Sequence, residues 1–78
     1  MPSTVIRSFA YDPGSRSLAV LFVTGRGYRY QAVPAEVAAA FRGAFAKGRF
    51  FNARIRDRYA ATRLTAEEID QLSSSTSQ

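Results

Sequence analysis

Residues 17–30 read SLAVLFVTGRGYRY, an apolar run, a glycine-flanked turn and a run bearing two tyrosines. The β-branched and aromatic content on both sides of Gly25 and Gly27 predicts a β-hairpin. Its parity decides which residues share a face. A three-residue loop needs a residue in the left-handed region at its last position, and Gly25 or Gly27 supplies one. That odd loop puts Tyr28 and Tyr30 on the face of Leu18, Val20 and Phe22. A two-residue Gly25-Arg26 loop would move them to the face of Ala19, Leu21 and Val23, because one step of register flips every side chain. The odd loop is preferred, since it collects the large residues on one side.

Working outward, Val5–Tyr11 reads as a preceding strand and Asp12-Pro13-Gly14-Ser15 as the turn after it. Pro presets φ there, and Gly14 is the residue free to take an unusual conformation. With Ser17–Val23 and Tyr28–Val33 this predicts a three-stranded antiparallel meander. Pro34 opens a helix, and Glu36 suits its positive end. Val37, Phe41, Ala44 and Phe45 form one apolar stripe, so Phe41 and Phe45 are expected on Val20 and Phe22. Lys47-Gly48 is read as the helix end. The stripe must cover a sheet face, which gives an α+β domain.

Beyond Gly48, the spacing of Phe51, Ile55 and Tyr59 predicts a second helix over Arg49–Tyr59, with Arg54 and Arg58 as neighbours of like charge on it. Thr65-Ala66-Glu67-Glu68 matches a capping box before Ile69 and Leu72, the sign of a short frayed helix. Ser73–Gln78 is too polar to pack and is expected to be disordered. The domain is placed at residues 1–64 and the C-terminal tail at 65–78.

Composition narrows the chemistry. The 78 residues hold eleven cations, ten of them Arg, against six acids. The first 64 residues carry all eleven cations and three of the acids, a net +8. With no Cys and no His, the chain has no disulfide, thiolate or imidazole. That argues against a His-based hydrolase, a metal centre and a secreted disulfide scaffold. No paired carboxylates or nucleophile–base arrangement appears, so no enzyme, metal or cofactor is expected. No apolar run approaches the roughly 18–20 residues of a membrane span, and no signal peptide opens the chain. No membrane association and a cytoplasmic location are expected.

The run Gly48-x-Phe50-Phe51-Asn52-x-x-Ile55-Arg56-x-x-Tyr59, with Tyr28-x-Tyr30, Val33-Pro34 and Leu18-x-Val20-x-Phe22, resembles the KTSC domain. That domain is named for its place at the C-terminus of some lysyl-tRNA synthetases, and it also occurs as a stand-alone bacterial protein. The resemblance covers about residues 3–60. It implies the α+β fold, and the synthetase context implies RNA binding.

The residues themselves offer two surfaces. Arg49, Arg54, Arg56 and Arg58 crowd around one acid, Asp57, and guanidinium forks suit phosphates. Arg29 is expected to extend that basic surface. Tyr28 and Tyr30 either stack on bases or pack as core beneath the helix. The second surface is the face of Ala19, Leu21 and Val23, an apolar strip flanked by Arg7 and Arg29. It is either a protein or homodimer interface or the floor for Leu64–Leu72. The expectation is a small nucleic-acid-binding module, RNA before DNA, with protein interaction as the alternative.

Overall fold

Phe22 and Arg26 close the second hairpin: the Phe22 amide donates to the Arg26 carbonyl at 2.9 Å. The loop between them is Val23-Thr24-Gly25, and Gly25 takes φ +97°. This is the odd loop, with glycine in the left-handed region at its last position. The structure is a computed structural model describing residues 6–75, with side chains through residue 72. Strands β1 (Ile6–Asp12), β2 (Ser17–Phe22) and β3 (Gly27–Tyr30) form the meander. Leu18 pairs with Tyr30 and Val20 with Tyr28, so both tyrosines lie on the Leu18–Val20 face. On the other face Ala19 pairs with Arg29 and Leu21 with Gly27.

The sheet has a fourth strand. β4 (Ala61–Arg63) runs antiparallel to β3, giving the order β1-β2-β3-β4. The expected three-stranded sheet is thus one strand short. All three residues of β4 are exposed, so it carries none of the apolar alternation that marks a strand. β3 itself ends at Tyr30 rather than Val33, because Ala32 turns the chain with φ +57°. In the first hairpin the left-handed residue is Arg16, at φ 57°, and not Gly14. Asp12 organises that turn, accepting from the Gly14 amide at 3.1 Å and the Ser15 hydroxyl at 2.9 Å.

Helix α1 (Ala35–Gly43) covers the Val20 face. Pro34 is its N-cap, one residue before the first helical position, and the Pro34 carbonyl accepts from the Val37 and Ala38 amides. Phe41 is fully buried, with its ring 4.7 Å edge-on from Phe9. α1 stops before Lys47: Ala44 is extended, at ψ 135°. Phe45 is thereby thrown into solvent and packs on nothing, contrary to the stripe. Lys47 starts α2 (Lys47–Phe50) instead of ending α1, and its ammonium donates to the Ala44 carbonyl at 3.1 Å.

α2 runs into a π-helical turn, Phe51–Ile55, closed by the Arg56 amide on the Phe51 carbonyl at 2.8 Å. The turn buries Phe51 and Ile55. Phe51 occupies the place expected of Phe45: its ring lies 5.3 Å from Phe22 and 5.4 Å from Tyr30. Arg56 is extended and Asp57 takes φ +63°. The single helix expected over Arg49–Tyr59 therefore ends at Ile55, and Arg58 sits in the turn beyond it.

Thr65 and Glu68 form the capping box. The Thr65 amide donates to Glu68 Oε1 at 2.8 Å, and the Glu68 amide to Thr65 Oγ1 at 3.2 Å. The helix it opens, α3 (Ala66–Ser75), is longer than expected. Its backbone includes residues 73–75, which were expected to be disordered; residues 76–78 lie outside the described part. α3 crosses the second sheet face. Leu64, Ile69 and Leu72 pack there on Ala19 and Leu21 in a second apolar cluster. Leu64 lies so close over Gly27 that a Cβ at Gly27 would stand 2.6 Å from its Cδ1. The result is an antiparallel sheet with helical cover on both faces.

Candidate nucleic-acid interface

Between Lys47 and Arg63 the chain carries six cations and one acid, Asp57. Arg49 lies on α2, Arg54 on the π-helical turn, Arg56 and Arg58 on the link to β4, and Arg63 on β4 itself. All five of these arginines are exposed. Arg54 stands over the Phe50 ring, 5.7 Å from its centroid. Arg54 and Arg58 are not neighbours on one helix, so the repulsion expected from helical spacing does not arise.

Among the described residues, the one ion pair within 4.0 Å is Arg29–Glu68, at 2.8 Å. Arg29 thus departs from the expected basic surface in two ways. Strand alternation puts it on the face opposite Tyr28 and Tyr30, and Glu68 of α3 already holds its guanidinium. The pair belongs to the docking of α3. Glu68 is held below its ordinary carboxylate range, first by the Thr65 amide and then by Arg29.

The two tyrosines separate. Tyr30 is buried, 6% exposed, in the main core with Leu18, Val20 and Phe51. Desolvation raises its pKa, the Tyr28 hydroxyl adds to that, and nearby Arg56 opposes it. Tyr30 is core, which withdraws it from base stacking. Tyr28 is only half-buried, with its ring 6.2 Å from that of Phe22. Its partner across the β3–β4 ladder is Arg63.

Arg63 was not among the residues the sequence singled out. Its signal would have been the fourth strand, which its composition does not announce. The ladder's hydrogen bonds fall at Leu64 to Gly27, 2.9 Å, and Gln31 to Ala60, 2.8 Å. By alternation, Tyr28 and Arg63 form a non-hydrogen-bonded pair. Facing side chains stand closest in such pairs, with Cα atoms about 4.5 Å apart. Arg63 therefore flanks the tyrosine row at Tyr28.

The alternative surface is not open. Ala19 and Leu21 are buried beneath α3, and of the three residues proposed for it only Val23 is exposed. The strip is a floor for Leu64–Leu72, because Leu72 and Ile69 need apolar cover as much as Leu21 does. A cleft of about 240 Å³ remains between α3 and the sheet, over Ala10 and Ala19. Arg29 and Glu68 line it but are spent on each other, and Asp12 on its own turn.

The chain belongs to the KTSC domain family, whose model matches residues 2–59. A crystal structure of a KTSC domain protein from Yersinia pestis matches with a TM-score of 0.77 at 32% identity, covering 83% of this chain and 92% of that one. An uncharacterised protein of Stutzerimonas stutzeri is 46% identical over 52 residues, 67% of this chain and 73% of its own. A protein of Tsukamurella paurometabola is 37% identical over 62 residues, 80% and 92% respectively. β4 and α3 lie past the residues the family model matches. No helix of the described residues is long and apolar enough to cross a membrane.

Proposed function

We propose that this chain is a non-enzymatic nucleic-acid-binding module, RNA before DNA, that holds the phosphate backbone through Arg49, Arg54, Arg56, Arg58 and Arg63. One observation carries the reading. These arginines are exposed, and none has a carboxylate within ion-pair reach among the described residues. Five exposed cations with one acid, Asp57, among them leave a net positive stretch that repels itself. A polyanion relieves it, and guanidinium forks bind phosphate oxygens bidentately. The competing reading, a protein or second copy docked on the Ala19–Leu21 face, requires α3 to leave that face first.

The test is salt. Each phosphate contact releases condensed counterion, so binding weakens with a log–log slope of about −0.7 per contact on single strands. Engagement of roughly three to five phosphates gives a slope of about −2 to −3.5. Arg54→Ala with Arg58→Ala should shallow it by about 1.4 and weaken binding to all sequences alike. Both side chains are exposed, so the fold should survive. Titration of labelled single-stranded RNA at several salt concentrations reads the slope. A slope unmoved by the double change, or no binding near about 50 mM salt, overturns the proposal.

A further inference from the structure

We infer that Tyr28 and Arg63 together form a stacking site for one unpaired base, which makes the preferred ligand a single strand rather than a duplex. The inference rests on the phosphate-binding reading above and adds the strandedness of the ligand. It starts from the unequal fates of two tyrosines on one face of one strand. Phe51 closes edge-on over Phe22 and Tyr30, and Tyr30 is sealed in the core. Tyr28 sits two residues earlier, toward the hairpin loop, and is only partly buried. Among the described residues its one ring neighbour is Phe22, tilted by 58°. Tyr28 packs against the edge of the main core, held by the strand, without being sealed in it.

Arg63 supplies the second half. It ends the outermost strand, every residue of which is exposed, and it faces Tyr28 in a close, non-hydrogen-bonded pair. An aromatic ring stacks on any base, since every base has a π-face, and a guanidinium beside it takes the adjoining phosphate. In a duplex each base face is already covered by its neighbours, so the ring has nothing to stack on. The backbone of a bound strand would therefore meet the Arg63 cation beside the stacked base.

The probe is a fluorescein-labelled oligouridine of about eight nucleotides, within the range that one small module covers. Two companions of equal length complete the set. One has abasic residues at the central positions, with unchanged phosphate charge; the other is a fully paired duplex. Anisotropy titrations with the intact chain should show the oligouridine binding at least about five-fold more tightly than the abasic strand. Tyr28→Phe keeps the ring and should keep that ratio. Tyr28→Leu keeps most of the apolar volume, loses the ring and should bring the ratio to one. Arg63→Ala should weaken both strands and shallow the salt slope by about 0.7.

Equal binding of oligouridine and abasic strand by the unaltered chain overturns this inference alone, since phosphate binding would persist. Duplex binding as tight as that of the oligouridine overturns it as well. No binding of any strand overturns it together with the phosphate reading. The abasic comparison uses the unaltered chain, so it decides the matter even if Tyr28→Leu fails to fold.

Discussion

Phe41 and Phe45 are one helical turn apart in sequence, yet one is wholly buried and the other wholly exposed. The spacing of the stripe could not reveal this, because the stripe runs on past Gly43, where the helix ends and the chain turns extended at Ala44. Phe41→Ala should cost about 3–5 kcal/mol, the loss seen for buried Phe truncations. Phe45→Ala should stay within about 0.5 kcal/mol, as for surface changes. Urea unfolding of the two variants checks both, and equal losses would mean that Phe45 docks after all. Residue-level reading succeeded where a glycine dictated geometry: Gly25 set the parity of the hairpin, and parity set the face of Tyr28 and Tyr30. It failed where ordinary residues took left-handed conformations, as at Arg16 and Ala32. At φ +57° an alanine pays for its Cβ, and glycine does not. Ala32→Gly should therefore raise stability by about 0.5–1 kcal/mol net of its greater unfolded-state entropy, read as a higher urea midpoint. A lower midpoint would place Ala32 outside that conformation.

α3 was half legible. Thr65 through Glu68 announced a helix start, and the reciprocal bonds are there at 2.8 and 3.2 Å. Docking was an open choice in the sequence, since Ile69 and Leu72 could equally have belonged to a fraying tail. What decided it is the facing strip: Ala19 and Leu21 on a sheet face that, among the described residues, only Leu64 and α3 cover. β4 was illegible, because three exposed residues form a strand only through the ladder that β3 offers them. The Glu68 carboxylate ties these levels together, capping α3 and reaching Arg29 on β3. Its folded pKa lies below the ordinary 4.5, the Thr65 amide being the first cause. A depressed carboxylate stabilises the fold above its unfolded pKa, and that contribution is lost as pH falls through the folded value. Glu68→Gln should accordingly be less stable than the parent chain at neutral pH. The gap should close as the pH drops below about 4.5, where the parent loses the same charge. Urea midpoints of both chains from pH 7 downward give the curve. A gap independent of pH would mean that the carboxylate charge contributes nothing at this site.

At the scale of the whole molecule, charge is divided by position along the chain. Residues 1–65 carry eleven cations and three acids; residues 66–78 carry three acids and no cation. The structure folds the acidic part back onto one sheet face, where Glu68 meets Arg29, and leaves the arginines from 49 to 63 without an ion pair within 4.0 Å among the described residues. This asymmetry was visible in the composition, but its placement was not, because only the sheet's two-sidedness separates Arg29 from the other arginines. Deleting residues 66–78 tests both consequences at once. Net charge would rise from +5 to +8, and Arg29 would be released. The same cut would strip Ile69 and Leu72 from Ala19 and Leu21. Full burial of one such side chain is worth about 1.5–3 kcal/mol. A domain of this size holds only about 4–12 kcal/mol in all, so the loss would be felt. An uncovered apolar strip on a sheet invites a second copy. The truncated chain should therefore melt at lower temperature and sediment partly as a dimer, while its affinity for single-stranded RNA at low salt rises with its charge. The strip and the arginines from 49 to 63 belong to different surfaces, so added salt should abolish the affinity gain and leave the dimer in place. A truncated chain that stays monomeric with an unchanged melting temperature would show that α3 does not cover the sheet in solution.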